Sequence, residues 1–125
     1  MTAKRGFTLI EILVVLVVLG ILAGLAIVRL QSQRGRGVVA SMTADLHAVA
    51  EEQEAWYIEH RAYSPVIDSL NPRPSPGNVT IIHEGTATGW SGSASNPATA
   101  KRCYIYVGSA APVGAASADG VINCS

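Results

Sequence analysis

Glu11 is the first residue whose type and position suggest chemistry, because it is the only charged side chain between Phe7 and Val28. A charge at the centre of a membrane-spanning helix costs about 2.5 to 3.5 kcal/mol on translocon-type scales, and less near the membrane surface. Either Glu11 lies among lipid headgroups, or it has a function that offsets this cost.

The segment around Glu11 must be helical if it lies in lipid. From Ile12 to Val28 there are 17 consecutive residues without a polar side chain, which cover about 26 Å as a helix. Phe7 to Ile10 extend the segment on the other side of Glu11, so it is long enough for a bilayer core of roughly 30 Å. Since lipid offers the backbone no hydrogen-bond partners, a helix is predicted despite the many β-branched residues.

A signal peptide and a buried soluble helix both fit this segment less well than a membrane helix does. A cleaved secretory signal has a shorter apolar core that ends in small residues of the Ala-x-Ala type, and no such site precedes the polar chain here. The remaining ~95 residues are too few to enclose a helix that is apolar all round. A plain membrane anchor fits well except for Glu11.

A short basic leader, Lys4-Arg5, is followed by Gly6-Phe7-Thr8-Leu9-Ile10-Glu11, and this pattern resembles the processing motif of type IV prepilins and pseudopilins. The motif is specific because it requires a small residue, an apolar new N-terminus, a glutamate at a fixed offset and an anchor together. The resemblance is strong over residues 4 to about 30 and general thereafter. It implies that the prepilin peptidase cleaves between Gly6 and Phe7 and that the exposed amine of Phe7 is methylated.

The same resemblance suggests a function for Glu11. Cleavage creates an α-amino group at Phe7, with an ordinary pKa of about 7.7 to 8.0, and methylation leaves it basic. Glu11 lies four residues on, about one helical turn. The Phe7 ammonium of an axially shifted neighbouring subunit can therefore neutralise Glu11 in a low-dielectric setting. The apolar helix then acts first as membrane anchor and later as filament core.

Gly20 and Gly24 form a small-xxx-small pair inside the apolar run, which indicates close helix packing. The family resemblance adds a compatible alternative, local unwinding of this region during filament assembly. Many relatives have a proline about where Val28 stands, so the extent of unwinding stays open. Further along, Gly35 and Gly37 are expected to weaken the helix by roughly 1 kcal/mol each relative to alanine.

Cys103 and Cys124 are the only cysteines. A disulfide between them closes a loop of 22 residues and stabilises the domain by about 3 kcal/mol in the chain-entropy model. The alternatives are two reduced thiols or half of a metal site, but two cysteines without Cys-x-x-Cys spacing make a poor zinc site. Export, and the disulfide-closed C-terminal loop of many type IV pilins, favour the disulfide.

The periodicity of the remaining chain predicts an α+β fold. One helix is predicted from Phe7 to Ala62, ending before Pro65, with Gln53 as a polar interruption of its packing stripe. Strands are predicted at residues 79–82, 103–107 and around 121–123, with a further weak strand at Trp90. The stretches rich in Gly, Ala, Ser and Thr between them are predicted to be surface loops. The stripe that packs on the sheet comprises Val39, Met42, Leu46, Val49 and Trp56.

Together with the resemblance, these elements divide the chain into four parts. Residues 1–6 are a cleaved leader, 7–30 a transmembrane and filament-core helix, 31–62 the amphipathic half of that helix, and 63–125 a β-rich part with the disulfide loop. The expected fold is type IV pilin-like, with a long N-terminal helix packed on a small antiparallel sheet of three or four strands.

No catalytic, metal or cofactor site is predicted, so the chain is not expected to be an enzyme. The three histidines show no ligand or triad spacing, and no glycine-rich phosphate loop is present. Only Glu84 and Asp119 follow Asp68, which is too few carboxylates for a calcium site. Lys101-Arg102 is a two-residue basic spot that gives DNA contact little support.

Two functions follow from the resemblance. The first is a structural subunit, major or minor, of a type IV pilus, which polymerises with itself or other pilins for adhesion, twitching motility or DNA uptake. The second is a pseudopilin of a type II secretion or competence system. The sparse carboxylates and the Ser, Thr and Gly-rich disulfide region favour the first. The pilus function implies a prepilin in the bacterial inner membrane with its C-terminal domain outside the cytoplasm, an inner-membrane assembly platform, and finally an extracellular filament.

Overall fold

The computed structural model describes residue 3 and residues 5–125. The chain divides into two compact units, Met1–Arg34 and Gly35–Ser125. The predicted leader, residues 1–6, falls partly on residues 1, 2 and 4, which lie outside the described residues. The elements in chain order are α1 (Leu9–His60), a 3₁₀ turn (Ile67–Ser69), β1 (Val79–Gly85), β2 (Gly89–Ser95), β3 (Arg102–Gly108) and β4 (Asn123–Cys124).

The predicted long helix is confirmed, and it begins and ends two residues inside the predicted bounds. Among the described residues, α1 is the one helix long and apolar enough to cross a membrane, by length and composition. In the N-terminal unit its large apolar side chains from Leu9 to Leu30 are 48–84% exposed. This part of the helix therefore presents an apolar surface in every direction.

Gly35 and Gly37 do not interrupt α1. Each glycine costs roughly 1 kcal/mol relative to alanine, but the packing of apolar side chains resumes at Val38. Burial of one large aliphatic side chain contributes about 1.5 to 3 kcal/mol, which outweighs that cost. The helix face of the C-terminal unit is buried at Met42, Leu46 and Val49, as the predicted stripe requires.

The helix ends earlier than the proline signal indicated. Arg61 has a φ of 56°, and its amide donates to the carbonyl oxygen of Tyr57 at 2.8 Å. A left-handed residue after the last helical turn is a common helix stop, and here it acts before Pro65 is reached.

Gln53, expected to be a polar interruption, is completely buried. Its Nε2 donates to the Ser64 carbonyl oxygen at 2.9 Å and its Oε1 accepts from the Ser64 amide at 2.8 Å. A buried polar side chain is tolerated when its hydrogen bonds are satisfied. Gln53 thus ties the segment after α1 back onto the helix.

The predicted antiparallel sheet is confirmed, with four strands in the order β1-β2-β3-β4. The weak strand predicted at Trp90 is confirmed as part of Gly89–Ser95, a central strand paired with both β1 and β3. The treatment of the Gly, Ser and Ala-rich residues beside Trp90 as surface loop is wrong within this strand. Trp90 and Ala94 on this strand are completely buried. Its small residues suit close packing, since a Cβ at Gly92 would lie 3.0 Å from the Ile81 carbonyl oxygen.

The Cys103–Cys124 disulfide is present and joins β3 to β4. The strand predicted around residues 121–123 is shorter and lies at Asn123–Cys124. The hydroxyl oxygen of Thr43, on α1, lies 3.9 Å from the Cys103 sulfur and 3.7 Å from the Cys124 sulfur. The disulfide therefore packs directly against the helix.

Candidate assembly site

The bond between Gly6 and Phe7 lies in a segment without regular secondary structure, just ahead of α1. Phe7 is 79% exposed, and a Cβ at Gly6 would meet no other atom within 4 Å. No described part of the chain therefore covers this bond. A large side chain at position 6 would have room in the chain itself.

Glu11 occupies the third position of α1 and is exposed. The amide of Thr8 donates to Glu11 Oε2 at 3.4 Å, while the carbonyl oxygen of Thr8 accepts from the amide of Glu11 at 3.1 Å. Thr8 and Glu11 match the spacing of the Ser/Thr-x-x-Glu capping box, and the structure shows the half in which the glutamate accepts from the amide of the capping residue. The Thr8-x-x-Glu11 spacing is the sequence signal for this cap.

The capping position has an electrostatic consequence. The first turn of a helix carries partial positive charge from its free amides, so a carboxylate there is favourable. Glu11 accordingly has a partner within its own chain before any other subunit is present. A cation from elsewhere would add to this interaction, because a carboxylate offers about four acceptor sites.

Gly20 and Gly24 lie within the exposed apolar part of α1. Among the described residues, no atom lies within 4 Å of a Cβ built at either position. The large apolar residues around them are also exposed. A contiguous apolar surface of this kind marks a contact with membrane or protein.

Comparison with known proteins places these features in context. Residues 1–27 match the family model described as the prokaryotic N-terminal methylation motif. The chain is 35% identical over 84 residues to the type IV wide pilus major component PilA4 of Thermus thermophilus, which covers 65% of this chain and 64% of that protein. Over these 84 residues the chain is a homologue of a type IV pilin.

Two further relatives illustrate the range of this group. The type II secretion system core protein G of Pseudomonas aeruginosa is 34% identical over 84 residues, covering 60% of this chain and 59% of that protein. The type IV major pilin protein PilA of Myxococcus xanthus is 32% identical over 75 residues, covering 60% of this chain and 34% of that protein. The chain thus spans less than two thirds of the length of each relative.

The C-terminal unit of this pilin homologue contains a buried polar network that the helical periodicity did not reveal. Asp45, on α1, accepts from the amide of Ser75 at 2.9 Å, from its hydroxyl at 2.8 Å and from Asn78 Nδ2 at 2.6 Å. Asn96 Nδ2 donates in turn to Asn78 Oδ1 at 2.6 Å. These bonds hold the proline-rich loop and the ends of β1 and β2 to the helix.

The described part of the chain contains no group of three or more histidine, cysteine, aspartate or glutamate side chains arranged to hold a metal ion. The chemistry that the described residues do offer at the N-terminal segment is an uncovered peptide bond, a carboxylate at a helix start and a large apolar surface. The peptide bond suits proteolytic processing, and the carboxylate and the apolar surface suit association with other molecules.

Proposed function

We propose that this pilin homologue is a structural subunit, major or minor, of a type IV pilus and has no enzymatic activity. The observation that carries the proposal is the apolar part of α1, whose large side chains are 48–84% exposed directly behind the Gly6-Phe7…Glu11 motif. In water such a surface is untenable. Lipid before assembly, and the helices of other subunits afterwards, would cover it.

The proposed sequence of events begins in the bacterial inner membrane. The prepilin peptidase cleaves between Gly6 and Phe7 and methylates the amine of Phe7. Subunits then pass through an inner-membrane assembly platform into an extracellular filament, with the C-terminal unit outside the cytoplasm. Gly20 and Gly24 supply close helix packing in the filament core, where small residues let backbones approach.

In this proposal Glu11 gains a second partner when the filament assembles. Its carboxylate caps α1 through Thr8 in the single chain. In the filament the Phe7 ammonium of a neighbouring copy joins it, so that neither charge is left unpaired in the apolar core. The pairing would set the axial position of each subunit that enters.

A pseudopilin of a type II secretion or competence system is the second candidate. It is favoured by the 34% identity to the core protein G of a type II secretion system. The two functions differ in where the assembled protein is found. Electron microscopy and mass spectrometry of filaments sheared from the cell surface would support the pilus, whereas assembled protein confined to the envelope would support the pseudopilin.

Two substitutions of Glu11 test the proposal. Glu11→Gln keeps an oxygen acceptor for the Thr8 amide but removes the charge, whereas Glu11→Val removes both. We expect both variants to be cleaved and retained in the membrane, and both to be depleted from sheared filaments relative to processed membrane protein. Gly6→Trp serves as the processing control, since the chain itself has room for the side chain and any block lies with the peptidase.

The outcomes are distinct. Depletion of the valine variant alone would indicate that the helix cap, rather than the charge, is required. A wild-type ratio for both variants would remove any assembly role from Glu11. Exported protein that retains its leader, with no methylated Phe7, would contradict the proposed processing.

A further inference from the structure

A shallow cavity of about 190 Å³ lies between the last turns of α1 and the 3₁₀ turn of the C-terminal unit. We call it the acidic notch, because carboxylates stand at two of its lining positions. Its lining residues are Glu52, Ala55, Trp56, Glu59, Ser69 and Leu70.

The acidic notch combines two carboxylates with an indole ring. Glu52, Trp56 and Glu59 follow one another by four and three residues, which places them on one helix face. Both carboxylates are exposed and Trp56 is half-buried. The Trp56 ring stacks on His60 with centroids 3.7 Å apart and an interplanar angle of 6°, which fixes its orientation.

This combination of groups suits a guanidinium. Arginine pairs with a carboxylate through two parallel hydrogen bonds, and it stacks on aromatic rings more readily than lysine does. An anionic side chain would be repelled by Glu52 and Glu59, and a neutral donor would form a weaker hydrogen bond with them than a guanidinium does. The nearby Glu54 is less available, because it accepts a hydrogen bond from the Tyr63 hydroxyl at 3.1 Å.

Arginines of the required kind lie earlier on the same helix. Arg34 and Arg36 are both exposed, and they follow the apolar part of α1. In the proposed filament the helices of all copies run parallel, so the basic stretch of one copy passes the acidic stretch of another. Trp56 follows Arg36 by 20 residues, and the two stretches therefore meet when copies are shifted by about 30 Å.

We propose that the acidic notch binds Arg34 and Arg36 of a second copy of this chain. The inference rests on the proposed filament function and adds a lateral contact to it. It involves a different neighbour from the Glu11 pairing, which joins residues only about one helical turn apart. Each subunit would thus make two kinds of charge contact with other copies. The Phe7–Glu11 contact lies in the apolar core, and the contact at the acidic notch lies on the filament body.

Charge reversal on each side, separately and together, tests the contact. The notch variant is Glu52→Arg with Glu59→Arg, and the basic variant is Arg34→Glu with Arg36→Glu. Either variant alone brings like charges together, and we expect about tenfold less sheared filament per processed membrane protein. The chain that carries all four changes restores opposite charges, and we expect it to recover most of the wild-type filament.

Glu51→Arg is the matched control, because Glu51 is an exposed carboxylate on the same helix that does not line the notch. Failure of the four-fold variant to recover, while wild type and Glu51→Arg assemble normally, would overturn the contact. A wild-type chain without filaments would instead refute the proposed function, and the contact would fall with it. Unchanged assembly of both single-side variants would also overturn the contact.

Cross-linking gives a test that does not depend on a loss of assembly. Arg34→Lys and Arg36→Lys, made separately, keep the charge and supply an amine, and Lys101 is the only other lysine after the leader. A carbodiimide applied to sheared filaments should join the new lysine to Glu52 or Glu59 of another copy, and peptide mapping of the dimer separates this link from one between the Phe7 amine and Glu11. Dimers linked only through Lys101 would assign the notch to a different partner and refute the proposal.

Discussion

Gln53 carries two hydrogen bonds that hold the segment after α1 against the helix, and Gln53→Met measures their contribution. Methionine is unbranched and flexible enough to fill the same space, but it can neither donate to the Ser64 carbonyl oxygen nor accept from the Ser64 amide. Both Gln53 and Ser64 have 0% of their surface exposed. Water therefore has no ready access to the two backbone groups that lose their partner.

The expected magnitude follows from those two groups. Each buried donor or acceptor left without a partner costs about 1 to 3 kcal/mol, so the pair costs about 2 to 6 kcal/mol. The more favourable burial of an apolar side chain offsets about 1 kcal/mol of this. We expect a net loss of about 3 kcal/mol, a large part of the 5 to 15 kcal/mol typical of a whole domain.

Urea unfolding of the detergent-solubilised full chain provides the assay. Trp90 is completely buried and Trp56 half-buried, so tryptophan fluorescence reports on the C-terminal unit. Gln33→Met, at an exposed position of the same helix, is the matched control and should leave the midpoint unchanged. If Gln53→Met lies within about 1 kcal/mol of that control, the Ser64 groups have found other partners and the reasoning is refuted.

Three further predictions use the same unfolding assay. Arg61→Gly should stabilise the C-terminal unit by about 0.5 to 1 kcal/mol, because a left-handed φ of 56° disfavours a residue with a side chain; a lower midpoint would contradict this. Burial, and then the hydrogen bond to Glu54, raise the pKa of Tyr63 above its ordinary value of 10.0. The stabilisation is therefore complete below about pH 10 and is lost as the pH rises further, and Tyr63→Phe should show a smaller alkaline loss than wild type; equal losses would refute it. Replacement of Cys103 and Cys124 by serine should cost about 3 kcal/mol, and an unchanged midpoint would show that the loop is held by its other contacts.

The elements that the sequence revealed are those with a strong hydrophobic pattern. The apolar run and the stripe through Met42, Leu46 and Val49 predicted α1, and the β-branched and aromatic residues of β1 and β3 predicted two strands. In each case the side chains that define the element are also the ones that decide whether it is buried or exposed. For these elements the hydrophobic pattern of the sequence and the physical cause of their folding are the same.

The missed features depend on tertiary contacts that leave little trace in composition. The sequence predicted β2 only at Trp90, because its other residues are glycine, serine and alanine, which have weak strand preference. These residues form a strand because β1 and β3 pair with them on both sides. Gln53 and Asp45 look like surface residues in a helical pattern, and their burial depends on distant partners such as Ser64 and Ser75. The Thr8–Glu11 cap is different, because it is local and its Thr-x-x-Glu spacing is present in the sequence.

The uniform apolar surface of the N-terminal half of α1 has a consequence for the energetics of the proposed assembly. Lipid tails are about as apolar as leucine side chains, so the move of this helix from bilayer to filament core yields little hydrophobic free energy in either direction. The equilibrium would then be decided by smaller terms, namely packing at Gly20 and Gly24 and the pairing of charges. A modest change in these smaller terms would then be enough to return a subunit from the filament to the membrane.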